Sequence, residues 1–189
     1  MIRTGCLKPA LLLSVALCLS GCVTTQESEL PRTLAPLDFV RFCMDYRSEC
    51  QSGRPNAVVA LTSETRQAIE QVNTEVNRRI SPVTRTAAWR INPATGNCND
   101  YVVTKRHELM ARGFPASALL IATARTREGE GHLLLIVRSD RGDLVLDNLT
   151  GNVLPRAQAN YMWLARQSGA DPNIWEMMSP VAEPVRTEV

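Results

Sequence analysis

The chain has 189 residues, of which 44% are hydrophobic, 21% charged and 5% aromatic. That is the profile of one ordinary globular domain, not of a disordered, fibrous or cysteine-packed chain. It carries 21 Lys and Arg against 19 Asp and Glu. Two of the basic residues, Arg3 and Lys8, lie in a leader, so the remainder balances at 19 of each, and a neutral chain lacks the basic face that phosphate backbones need. Nucleic-acid binding is set aside; an exported enzyme, an exported binding module and a structural lipoprotein remain.

Residues 1–21 read as an export signal. Arg3 and Lys8 supply the positive start, and the run from Ala10 to Leu19 is apolar but too short for the roughly 20 residues a bilayer span needs. Leu19-Ser20-Gly21-Cys22 follows and resembles a bacterial lipobox, which implies cleavage before Cys22 and lipidation of that cysteine; the alternative is an ordinary secretory signal with an incidental Cys22. Residues 22–36 are rich in Thr, Ser, Pro and Glu without hydrophobic period and read as a flexible tether. The expectation is a periplasmic domain, residues 37–178, held on the envelope membrane by its lipid, with a mobile tail over 179–189.

Within the domain, Asp38 to Tyr46 reads as a short helix. With Cys6 and Cys18 in the leader and Cys22 lipidated, Cys43, Cys50 and Cys98 remain, an odd number for an oxidising compartment. A local Cys43–Cys50 bridge is favoured, leaving Cys98 free; pairing of either with Cys98 is the alternative. Thr62 to Ile80 is the longest helical pattern, with Ile69, Val72, Val76 and Ile80 on one stripe and Pro82 as its stop. Residues 81–97 are mostly loop, with Trp89 a candidate buried anchor. A third helix starts at Asn97 or Cys98 and runs to Arg112, closed by Gly113 and Pro115. Short strands follow at Ala118 to Ala124, Leu133 to Val137 and Leu144 to Leu146, then a helical piece over Ala159 to Gln167. Helices first and a meander of strands afterwards give an α+β fold, N-terminal helices on an antiparallel sheet.

Three residues form a chemical set. Cys98 sits at a helix start, where the N-terminus stabilises a thiolate; as a lone residue it reads equally as a small buried hydrophobe. His132 opens the strand Leu133–Val137, and the turn Ser139-Asp140-Arg141-Gly142 sends the chain back through Leu144 to Asp147. With those four residues as the loop, paired positions sum to 281. Residue 149 then faces His132, and Asp147 is its diagonal neighbour on the same face, about 7–8 Å away; a slip of register by two would place the two directly opposite. A carboxylate there is costly unless paired. Nucleophile, base and orienting acid make a cysteine-hydrolase set. His107-Glu108 lacks the second His of a zinc-protease helix and reads as a solvated face, as do Lys105 and Arg106. Trp89, Trp163 and Trp175 read as packing.

The segments Gly96-Asn97-Cys98-Asn99-Asp100-Tyr101, Thr104-Lys105-Arg106-His107-Glu108-Leu109, Gly129-Glu130-Gly131-His132-Leu133 and Asp140 to Leu149 together resemble the bacterial transglutaminase-like cysteine peptidases. The likeness runs from Phe39-Val40-Arg41-Phe42-Cys43 to Asp171-Pro172-Asn173 and Trp175, nearly the whole domain in order. It implies a papain-like, transglutaminase-type α+β core, a catalytic set matching Cys98, His132 and Asp147, and a protein or peptide substrate. The best-known members are periplasmic proteases that release cell-surface adhesins and require calcium. Where that family usually reads Gly-Asp-Cys-Glu-Asp, this chain has Gly96-Asn97-Cys98-Asn99-Asp100. Calcium prefers several oxygen ligands with net negative charge, so Asn97, Asn99 and Asp100 are expected to bind it weakly or not at all, and no cofactor is expected to be required. A catalytically silent binding module that kept the fold is the alternative function.

Overall fold

A computed structural model describes residues 30–86 and 88–178. The leader, Cys22, the start of the tether and the tail over 179–189 lie outside the described residues. Three helices, α1 (Leu37–Asp45), α2 (Ser63–Arg79) and α3 (Cys98–Ala111), precede the main strands. The strands are β1 (Arg32–Thr33), β2 (Ser81–Pro82), β3 (Thr95–Gly96), β4 (Leu119–Arg125), β5 (Gly131–Val137), β6 (Leu144–Leu146), β7 (Leu154–Pro155), β8 (Met162–Gln167) and β9 (Trp175–Met177). Seven of them form one antiparallel sheet in the order β1-β9-β8-β4-β5-β6-β7. The other two, β2 and β3, make a small parallel pair. No helix among the described residues is long and apolar enough to cross a membrane.

The helices start and stop where their chemistry dictates. Thr62 and Thr65 form a reciprocal capping box at the start of α2, and Pro82 follows its end. α2 buries Ile69, Val72 and Val76, and Ile80 is buried just past its last turn. α3 stops at Ala111, and Gly113, just past the Arg112 cap, has a φ of +87° that favours glycine. α3 is the central element: it packs on α2 to one side and on β4 and β5 to the other. Tyr101, Val102, Val103 and Leu109 are all buried, so the helix is enclosed almost all round. That overturns the reading of Lys105 and Arg106 as surface charges, for they are 0% and 2% exposed.

Two further readings are corrected. Residues 159–167 are not helical: Met162–Gln167 is strand β8, between β4 and β9. Ala165 and Gln167 are buried at strand spacing, while Met162 is exposed. The open backbone edge of β4 needs a partner, and that need outweighs a local pattern too short to distinguish the two periods. Part of the segment read as flexible tether is also ordered, since Arg32 and Thr33 pair with Glu176 and Trp175.

Candidate active site

The site assembles where the start of α3 meets the open end of the β5–β6 hairpin. Asn97 caps α3: its side chain accepts from the Asn99 N–H at 3.1 Å, and Asp100 Oδ2 accepts from the Asn97 N–H at 3.0 Å. Asp100 is fully buried, and its Oδ1 accepts from the Arg90 N–H at 2.8 Å. The Arg90 guanidinium lies 3.7 Å from the same carboxylate and donates to the Thr95 carbonyl at 3.0 Å. Gly96 is required here, because a Cβ would sit 2.6 Å from the Asp100 Cβ. The β2–β3 pair holds this loop to the end of α2, through Pro82 opposite Gly96. Cys98 is therefore the first helical residue on a firmly braced turn, half-buried, with its thiol free.

The hairpin keeps the anticipated register, with Leu135 opposite Leu146, Ile136 opposite Val145 and Val137 opposite Leu144. Pairing ends at Leu146, and the next residue delivers its carboxylate to His132: Nε2 lies 2.8 Å from Asp147 Oδ1. Both residues are buried. The Leu149 N–H donates to Oδ1 at 3.0 Å, and the Tyr161 hydroxyl donates to Oδ2. Tyr161 also stacks on the His132 ring, centroids 5.5 Å apart. The main-chain carbonyl of Asp147 accepts from Lys105 Nζ and from Asn77 Nδ2, each at 2.8 Å. The acid is thus fixed through both its side chain and its backbone.

Electrostatics follow from this packing. Burial, the largest influence on His132, disfavours its charged form, but hydrogen bonds to Asp147 and to Cys98 outweigh it and push the imidazole up to about 9. Burial opposes ionisation of Asp147, yet its hydrogen bonds from His132, Leu149 and Tyr161 hold the carboxyl below its usual range. Burial pulls Lys105 down to about 7, against the attraction of Asp147. With Nε2 committed to Asp147, the other ring nitrogen is left for Cys98, and both side chains line one open groove together with Gly96, Asn97 and Asn148. Cys98 and His132 thus share one groove, with Asp147 hydrogen-bonded to the ring. The Cys98 N–H belongs to the first turn of α3, where helical N–H groups lack intrahelical acceptors, and is an available oxyanion donor.

Elsewhere, Cys43 and Cys50 are joined by a disulfide. His107 is half-buried and its Nδ1 lies 2.6 Å from Glu49 Oε1, while Glu108 pairs with Arg79, so neither faces the groove. Tyr161, Lys105 and Asn77 have supporting roles that sequence reasoning missed. A signal existed for Lys105: the consecutive apolar residues Tyr101-Val102-Val103 leave α3 no wholly polar face.

Legionella pneumophila LapG has a similar structure in its calcium-bound form, at 19% identity and a TM-score of 0.51, over 74% of this chain and 77% of that one. The EGTA-treated form gives 18% and 0.51, over 74% and 75%. At this identity the likeness shows a shared fold. No curated protein matches the chain. The calcium in one of those structures makes the donor set beside Cys98 worth testing. Of Asn97, Asn99 and Asp100, only the last is a carboxylate, and both of its oxygens are taken by backbone N–H groups. The Asn97 side-chain oxygen is taken by the Asn99 N–H, and Asn99 Oδ1 accepts from the Cys98 thiol at 3.6 Å. Among the described residues, no group of three or more His, Cys, Asp or Glu side chains is placed to hold a metal. The three residues offer a cation a single formal negative charge, a weaker set than calcium favours.

A family model described as bacterial transglutaminase-like cysteine proteinase matches residues 29–182, a span that takes in α3, the hairpin and β8. The chain belongs to the bacterial transglutaminase-like cysteine proteinases and is a cysteine peptidase.

Proposed function

We propose that this chain is a periplasmic peptidase, anchored to the envelope through a lipidated Cys22, that hydrolyses a peptide bond in a cell-surface protein of the adhesin kind. Cys98 is its nucleophile, His132 its base and acid, and Asp147 the residue that orients the ring. The observation that carries this reading is the buried Asp147–His132 hydrogen bond of 2.8 Å on the groove that Cys98 also lines. The Cys98 proton passes to His132. The thiolate attacks the peptide carbonyl, and the Sγ–C bond forms as the carbonyl electron pair moves onto oxygen, facing the Cys98 N–H. Collapse breaks the C–N bond while His132 gives its proton to the leaving nitrogen. Water then attacks the thioester, losing its proton to His132, and the carboxylic acid departs as the sulfur regains its electrons. Export and anchoring are supported by the order of charge, apolar run and Ser20-Gly21-Cys22 in the leader.

The test is alkylation of Cys98 by iodoacetamide against pH. An ordinary thiol is only about 0.3% thiolate at pH 6, whereas a thiolate–imidazolium pair stays reactive. The wild type is expected to react at least about tenfold faster than His132→Ala at that pH. Equal rates would remove the ion pair and the catalytic assignment with it. For the anchor, Cys22→Ala is expected to move the protein from the membrane to the soluble fraction of the envelope.

A further inference from the structure

A second cavity, of about 270 Å³, opens beside the catalytic groove and shares Thr126, Glu128 and Leu149 with it. Its walls include Val145, Leu149, Leu154, Ala159 and the side chain of Tyr161, and the exposed Arg127 and Glu128 of the β4–β5 turn also border it. Pockets for free small molecules start at roughly 300 Å³, so this one suits a single side chain better than a cofactor.

Its position relative to the reacting atoms gives it a direction. Cys98 and His132 line the groove and not this cavity; Asp147 and Tyr161 line the cavity. Asp147 Oδ1 accepts from Nε2 of His132, and Cys98 shares the groove with the same ring. A path from the sulfur across the imidazole therefore leads to the cavity. In the reaction proposed above, the acyl carbon sits on Cys98 and the leaving nitrogen receives its proton from His132. The half of the substrate that departs must then lie on the His132 side.

We infer that this cavity is the subsite for an apolar side chain, of leucine or phenylalanine size, in the leaving, C-terminal half of a polypeptide substrate. The inference rests on the catalytic reading of Cys98 and His132. Burying such a side chain corresponds to roughly ten- to a hundredfold in selectivity. By microscopic reversibility, the same subsite receives an incoming amine. When an amine attacks the thioester, a C–N bond forms, the C–S bond breaks with its electrons returning to sulfur, and the amine proton passes to His132.

The experiment loads Cys98 with acetyl-alanine p-nitrophenyl ester, which forms the thioester and releases nitrophenolate. Water, glycinamide and leucinamide then compete for it. Leucinamide is expected to be captured about tenfold better than glycinamide at equal concentration. Leu154→Trp, which fills the cavity, is expected to erase that preference, and Leu154→Ala to shift it towards tryptophanamide. Each preference is a product ratio within one variant, so it does not depend on how much of that variant is folded. Equal capture of the two amides by the wild type, or an undiminished preference in Leu154→Trp, overturns the subsite while leaving the catalytic reading intact. Absence of any thioester on Cys98 by mass spectrometry overturns the catalytic reading, and the subsite with it.

Discussion

Tyr161 joins two restraints on the same acid–base pair: its hydroxyl serves Asp147 Oδ2 and its ring covers His132. Burial and the neighbouring carboxylate both raise its ionisation above the ordinary range, so it remains a donor at alkaline pH. A hydrogen bond to a charged group contributes about 1.5–3 kcal/mol, so Tyr161→Phe is expected to lower kcat/KM on a peptide substrate by at least about tenfold while retaining the ring stack. Steady-state kinetics, with circular dichroism to confirm the fold, check this; unchanged kinetics would make the hydroxyl dispensable. The His132–Asp147 contact was legible in the sequence because the turn fixes the hairpin register, and the register fixes which carboxylate reaches the ring. Tyr161 was hidden by the mistaken helical reading of its segment. Lys105 was hidden because a charged residue on a helix is ordinarily solvated, and only the enclosure of α3 almost all round reverses that expectation.

Two elements brace α3, the helix that Cys98 opens. The turn before α3 is held by Asp100, whose carboxylate satisfies the Arg90 and Asn97 N–H groups. Asp100→Ala leaves the part-buried Arg90 and Asn97 N–H groups without this acceptor and is expected to cost about 2 kcal/mol in denaturant unfolding. EGTA, by contrast, is expected to leave the unfolding midpoint of the wild type unchanged, since a ligand that does not bind the native state adds nothing to its stability. A clear EGTA-induced loss would show that the amide-bearing turn holds metal after all. The second brace is the Cys43–Cys50 bridge, which joins α1 to the single helical turn Arg47–Cys50. Glu49, inside that loop, accepts from Arg106 through its main-chain carbonyl at 2.7 Å and faces His107 through its carboxylate. Reduction is expected to lower stability by about 2.5 kcal/mol on the chain-entropy account, measured as a shift in denaturant midpoint with and without a phosphine reductant. The bridge was readable from cysteine spacing. Its docking onto α3 was not, because that depends on Arg106 being drawn inward.

Across the whole molecule, two buried bases titrate in opposite senses. His132, at about 9 against an ordinary 6.5, contributes stability that is fully present below pH 6.5 and is lost as pH rises through 9. Lys105, at about 7 against 10.5, is charged in the unfolded chain but neutral in the native one between those values, so its contribution rises with pH across that window. The two oppose each other from pH 7 to 9. Calorimetry is expected to show a nearly flat wild-type Tm there. Lys105→Met should lose about 2 kcal/mol of stability over the interval, and His132→Ala should gain a similar amount. The same slope in all three would remove one of these groups from the account.

The pairing of β1 with β9 has a consequence for how the molecule meets its surroundings. The polypeptide enters and leaves along one margin of the sheet, while His132 stands on β5, four strand positions inward, or about 19 Å at the usual spacing. Anything that grips the chain upstream of Leu30 pulls on that margin alone. A force applied at that margin would reach His132 only across the three strands β9, β8 and β4 that stand between.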